Sequence, residues 1–293
     1  MKRCPSRLIF DSCTNPTIRS GDALYDEAER IVGTLGTIMS SARAGNTDVY
    51  VVITAGHIIS DGDHSLLVKN RTLDSFIVLK VAPKFRRFGS RPLSRLNEAL
   101  SFQDDVGILV VENNSVKFFS RFIANLNVHY LASDGVDLPV SEMADPVSRS
   151  RRGDILRRLP MIVYKVGTAT ELTMGRFVRI EDTAPKGWYT LNEDGEEETD
   201  DEETEEAEKD VDEWLGVVEW MDLPFSASGD SGSLVFARED GIHIPLGIHV
   251  GSPENTRTSL FISLETFCFE AELEGLELRF CDQTAIKCKG SIN

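Results

Sequence analysis

Gly229-Asp230-Ser231-Gly232-Ser233 sets one serine between two glycines near the end of a chain written mostly in short β runs. Gly supplies unusual backbone dihedrals, while Asp and Ser bond back to neighbouring main chain, so the pentapeptide reads as a tight turn. Residues 216–220 before it and 233–237 after it read as strands, rich in Val, Leu, Phe and Trp. A serine held on such a turn presents its hydroxyl, and the N–H groups beside it converge on one point. That is the geometry required to stabilise an oxyanion. The stretch does not fit the nucleophile elbow G-x-S-x-G, because position 233 is Ser, and an α/β-hydrolase is excluded on that ground.

Working outward, a first set of β runs covers 32–39, 49–54, 65–68, 76–81 and 106–111. A second covers 161–166, 175–180, 216–220, 233–237, 242–250 and 259–262. Gly, Asp, Asn and Pro punctuate both sets at intervals suited to barrels or sandwiches. Helical periodicity is confined to 116–124 and 264–273; in the latter Leu264, Phe267, Cys268 and Ala271 share a face. The expectation is an all-β chain divided into an arm (1–30), a first barrel (31–132), a connection (133–159), a second barrel (160–282) and a tail (283–293).

Net charge is −17 over 293 residues, but it is concentrated: fifteen acidic residues against one lysine lie between Glu193 and Glu213, −14 of the −17. This acidic insert (192–213) interrupts the second β set and reads as a solvated, disordered loop. Nucleic-acid binding is disfavoured, and Arg149, Arg151, Arg152, Arg157 and Arg158 read as a solvated linker. Five cysteines (Cys4, Cys13, Cys268, Cys281, Cys288) form neither a disulfide framework nor a zinc spacing, so no metal or cofactor is expected. With no signal-like start and no apolar run long enough for a bilayer, the expectation is a soluble intracellular protein, cytoplasmic or nuclear, with no membrane partner.

A nucleophilic serine needs a base, and the base an orienting acid. Val52-Ile53-Thr54-Ala55-Gly56-His57 delivers an imidazole at the rim of a strand, and Asp104-Asp105-Val106-Gly107-Ile108-Leu109 places carboxylates at the mouth of another. TAGH, D-V-G-I-L and GDSGS, in that order, resemble the signature regions of the chymotrypsin/trypsin-like serine peptidases. Lys165-Val166-Gly167 through Thr173-Met174-Gly175 is similar to the hairpin opening the second barrel of bacterial and viral-type members. Gly247-Ile248-His249-Val250-Gly251-Ser252 resembles the strand bordering the first substrate pocket. The resemblance spans roughly residues 32–280 and implies two six-stranded antiparallel barrels with the site between them, followed by a C-terminal helix.

It implies roles as well. Ser231 attacks the scissile carbonyl, His57 serves as general base and then acid, and Asp105 (rather than Asp104) orients the imidazole. The N–H groups of Gly229 and Ser231 form the oxyanion hole, and His64 reads as a surface turn. Ser226 and His249 fall where staphylococcal glutamyl endopeptidases and picornaviral chymotrypsin-fold cysteine proteases line the P1 pocket, implying Gln or Glu at P1. Val250, Gly251 and Ser252 border the same pocket, whereas His249 otherwise only fills it. Phe225 stands where trypsin-like enzymes carry an acid, which disfavours Lys or Arg.

Arg30-Ile31-Val32-Gly33 looks like a zymogen cleavage site, whose new terminus would pair with the Asp before the nucleophile. Residues 32–39 are needed as a strand, so the stretch is read as strand. The functional expectation is an endopeptidase acting on a protein or peptide substrate. The alternatives are a proteolytically silent binding module of the same fold, or an acidic run that binds a basic partner.

Overall fold

The computed structural model describes residues 18–42, 49–59, 64–70, 75–81, 105–111, 123–124, 152–181, 214–239, 242–253, 255–264, 268 and 277–280. Within them the chain is almost wholly β. The first stretch contains β1 (Ile18–Arg19), β2 (Ala23–Tyr25), β3 (Ile31–Thr34), β4 (Thr37–Ala42), β5 (Val49–Ala55), β6 (Ser65–Asn70), β7 (Ser75–Val81), β8 (Val106–Val111) and β9 (Ile123–Ala124). A short helix, α1 (Arg152–Leu156), precedes the second stretch. That stretch contains β10 (Met161–Gly167), β11 (Glu171–Glu181), β12 (Leu215–Trp220), β13 (Leu234–Glu239), β14 (Ile242–Gly251), β15 (Thr258–Ser263) and β16 (Glu277–Phe280).

The second set closes. Strands run in the order β10-β11-β12-β15-β14-β13, and β13 pairs back onto β10 through Val163↔Ala237, Tyr164↔Phe236 and Lys165↔Val235. Side-chain alternation explains why these strands are apolar on both faces. Leu234 and Phe236 of β13, with Leu215 and Val217 of β12, pack into a core shared with the first set. Val235, Ala237 and Val218 point the other way into the barrel's own core, among Phe177, Trp214, Phe225 and Phe261. Phe177 stacks on Trp214 and meets Phe261 edge-on at a centroid distance of 5.0 Å. Truncating such a ring to Ala typically costs ~3–5 kcal/mol.

The first set differs from the expected second six-stranded barrel. Among the described residues it forms an eight-stranded sheet in the order β16-β4-β5-β8-β7-β6-β2-β3, with β16 and β3 at its edges. The run 32–39, expected as one strand, is two. At Leu35-Gly36 the chain leaves the ladder: Leu35 N–H donates to Asp22 O and Gly36 N–H to Ile53 O. β3 consequently pairs with β2, whereas β4 pairs with β5. β2, within the segment read as an arm, is therefore a strand of this sheet. Of the helix expected at 116–124 only the last two residues are described, and they form β9, paired with β1. Most of the expected helix at 264–273, the acidic insert and most of 133–159 lie outside the described residues. No helix among the described residues is long and apolar enough to cross a membrane.

Candidate active site

β5 and β8 are antiparallel neighbours, with Ala55 opposite Val106. The residues just beyond these positions are therefore adjacent: after Ala55 the chain coils into a 3-10 turn, Gly56–Ile58, and Asp105 precedes β8. Gly107 allows the approach, because a Cβ there would lie 2.5 Å from Ile59 Cδ1. The buried Asp105 carboxylate accepts from His57 twice over. Its Oδ1 takes the backbone N–H at 2.8 Å, and Nδ1 lies 2.9 Å from Oδ1 and 3.0 Å from Oδ2. With a carboxylate on Nδ1, that nitrogen carries the proton in the neutral ring, leaving Nε2 as the basic position. Burial pulls the His57 pKa down, but the charge and hydrogen bond of Asp105 outweigh it, so the net shift is upward from 6.5. The His57 side chain is nonetheless 46% exposed, accessible to a substrate.

Ser231 sits on the loop before β13. The turn depends on glycine at two places, Gly229 (φ +100°) and Gly232 (φ +94°), both left-handed conformations that L side chains avoid. At Gly232 a Cβ would also strike Thr54 Oγ1 and Thr34 O. The loop is tied to the first set: Thr34 N–H donates to Ser231 O at 2.8 Å, and the Thr34 hydroxyl to Gly229 O at 2.8 Å. Gly33 marks the junction, since a Cβ there would meet both Ile58, the neighbour of His57, and Ser231 O. Ser231 Oγ makes a long hydrogen bond, 3.4 Å, to Val250 O. Among the described residues no backbone carbonyl takes the N–H of Gly229 or of Ser231.

Beneath the serine lies a feature the sequence did not disclose. Asp230 and Lys165 are both fully buried and paired at 2.8 Å. Asp230 Oδ2 also accepts from the Thr170 hydroxyl (2.6 Å) and Ala227 N–H (3.0 Å). Its Oδ1 accepts from Ala169 N–H (2.8 Å) and Thr170 N–H (3.2 Å). Lys165 Nζ further donates to Thr170 Oγ1 at 2.8 Å and lies 5.4 Å from the Phe225 ring centroid, a cation–π contact. Burial alone would raise the Asp230 pKa, but the lysine and the converging donors hold it below the ordinary 3.8. Gly167 makes room, since a Cβ there would sit 2.2 Å from Asp230 Oδ1. Asp230 already holds an internal cation, Ile31 lies in β3, and Arg30 bonds Asp26 at 2.6 Å.

Two of the residues expected at the P1 pocket, Ser226 and Ser252, meet through their hydroxyls. Ser226, Ser252 and Ser259 form a closed ring of hydroxyls, with Oγ separations of 2.7, 2.8 and 2.7 Å, and Trp220 Nε1–H donates to Ser259 at 2.9 Å. His249 is buried beside Phe225, ring centroids 6.4 Å apart and nearly perpendicular. Sequence reading missed Ser259 and Trp220, which look like ordinary strand residues until β12 and β15 pair. Asp104 lies outside the described residues, and His64 is exposed at the start of β6. A separate cavity of about 300 Å³, between Tyr25 and the Gly167-Thr168 turn, contains none of the predicted site residues. Among the described residues no group of His, Cys, Asp or Glu is arranged to hold a metal ion.

No protein-family model and no curated protein matches the chain. Among solved structures it is similar to a glutamic-acid-specific serine protease that uses a histidine triad in substrate binding: 16% identity, 89% of this chain and 100% of that chain covered, TM-score 0.46. It is also similar to Cellulomonas bogoriensis chymotrypsin: 16% identity, 89% and 99% covered, TM-score 0.44. A third is Thermobifida fusca protease A: 15% identity, 90% and 98% covered, TM-score 0.43.

Proposed function

We propose that the chain is a serine endopeptidase that hydrolyses peptide bonds through an acyl-enzyme on Ser231. The observation that carries this reading is the His57–Asp105 pair at the rim of the first sheet, together with a glycine-flanked serine that Thr34 ties to the same sheet. Asp105 holds the tautomer in which Nε2 is the base. His57 takes the Ser231 proton as the hydroxyl attacks and returns it to the departing amine. The N–H groups of Gly229 and Ser231 receive the oxyanion, their donors free of backbone carbonyls among the described residues. Val250, Gly251 and Ser252 border the substrate, and Ser226 and His249 line the pocket for a P1 Gln or Glu.

A fluorophosphonate probe tests the reaction class directly. Labelling is expected in the wild-type protein and lost in Ser231→Ala. Failure to label folded wild-type protein would instead favour a binding module. The acidic insert recruiting a basic partner remains a separate proposal, tested by deleting 192–213 and measuring the salt dependence of turnover.

A further inference from the structure

The hydrogen-bond polarity of the residues proposed to line the P1 pocket can be read atom by atom. His249 Nδ1 lies 3.0 Å from Leu260 O, and a carbonyl only accepts, so Nδ1 carries a proton. The ring is otherwise neutral: burial, reinforced by the Lys165 charge, drops its pKa to about 3, with Asp230 opposing. Nε2 is then a bare lone pair, and Nδ1 makes the ring's one hydrogen bond among the described residues. The serine ring has the same character. Three hydroxyl protons fill its three edges, and Trp220 Nε1–H takes the second lone pair of Ser259. No hydroxyl proton is left over, and among the described residues Ser226 and Ser252 each retain an accepting lone pair.

We propose that this pocket selects a P1 glutamine against glutamate, because it offers acceptors and the glutamine amide brings the N–H donors that match them. The proposal rests on the endopeptidase reading and names the substrate of that same site. A glutamate carboxylate, with acceptors only, would face the bare Nε2 and could be accommodated only by opening the serine ring or by protonating His249. An ammonium would also donate, but it would bring a second buried cation toward Lys165, whose field already reaches His249. The neutral amide places its two N–H donors on these acceptors without such changes, and only its carbonyl oxygen needs a donor from outside this group.

The test uses full-length protein, active-site titrated with a fluorophosphonate, and matched fluorogenic peptides differing only at P1. Glutamine is expected to exceed glutamate in kcat/KM by on the order of 100-fold or more, since unmet buried partners discriminate strongly. Glutamate cleaved equally well or better would overturn the proposal. Ser226→Ala removes one member of the ring and frees a hydroxyl proton on its neighbours, so the Gln/Glu ratio should narrow; an unchanged ratio counts against the ring. Nitrogen-15 spectra of histidine-labelled wild-type protein supply an arm independent of turnover. His249 should show a protonated Nδ1 and an unprotonated Nε2, and the opposite tautomer overturns the assignment. Labelling without cleavage after glutamine sinks the P1 proposal alone, whereas absent labelling of folded protein sinks the endopeptidase reading and this proposal with it.

Discussion

The two halves of the molecule hold the side chains proposed to react by different means. On the first sheet the proposed base, His57, is bonded by Asp105, and its ring remains half open to solvent. On the closed barrel the proposed nucleophile, Ser231, follows a member of a fully buried ion pair, with five donors converging on Asp230. One arrangement leaves an imidazole free to take and return a proton. The other makes a turn of small residues rigid enough to keep its N–H groups aimed. Breaking the first should therefore harm chemistry and spare stability, whereas breaking the second should harm stability most and chemistry only through N–H groups that lose their aim.

The largest effect is expected from Asp105→Asn. Loss of the orienting carboxylate permits the wrong tautomer, and kcat should fall by about four orders of magnitude with little change in urea midpoint. The pH profile supplies the sign. Activity needs neutral His57, so it is lost as pH falls through a pKa held above 6.5; in Asp105→Asn that midpoint should move down. A midpoint that stays put would show that Asp105 does not set the imidazole's basicity.

Next is Lys165→Met, which strands Asp230 as an unpaired buried carboxylate. Breaking such a pair costs ~3–5 kcal/mol, measurable by urea unfolding. In the wild type the depressed Asp230 pKa stabilises the fold above its unfolded value, and that contribution is lost as pH falls through the folded value. In the variant the carboxyl pKa should be raised by burial, so stability should instead fall as pH rises through it. Equal stability at all pH values would mean the pair is dispensable. The smallest effect is expected from Thr34→Val, which removes the hydroxyl linking Gly229 O and Thr168 N–H. A loss of ~1–3 kcal/mol, accompanied by a modest fall in kcat, would place the bridge between the halves; an effect on stability alone would confine Thr34 to a packing role.

Much of this was legible before any coordinates, because strands of Val, Ile and Phe bounded by turn residues are strong local signals. The contact of His57 with Asp105 was readable in part from the same logic, as both residues stand at strand ends, but the choice of Asp105 over Asp104 came from the resemblance. What escaped depends on distant partners. A lysine within Met161–Gly167 looks like a solvent-facing strand residue until Asp230, sixty-five positions on, is folded against it. Ser259 and Trp220 carry no signal until β12 and β15 align. The break at Leu35-Gly36 was invisible for a related reason: the stretch has uniform β character, and the bonds that divide it come from Asp22 and Ile53. The expectation of twin barrels generalised the closed half to the one that remains open among the described residues.

The edge strand β16 has a kinetic consequence. It pairs with β4 through Phe280↔Met39 and Glu277↔Ala42, joining segments about 240 residues apart in sequence. During synthesis, the sheet carrying His57 and Asp105 must wait for the barrel and its loops to emerge before that edge can be covered. Contacts of such long sequence separation form late and slow folding. The nascent first half thus spends its early life with the unpaired edge of β4 available to other chains, a period of vulnerability to aggregation that ends only when the last described strand arrives.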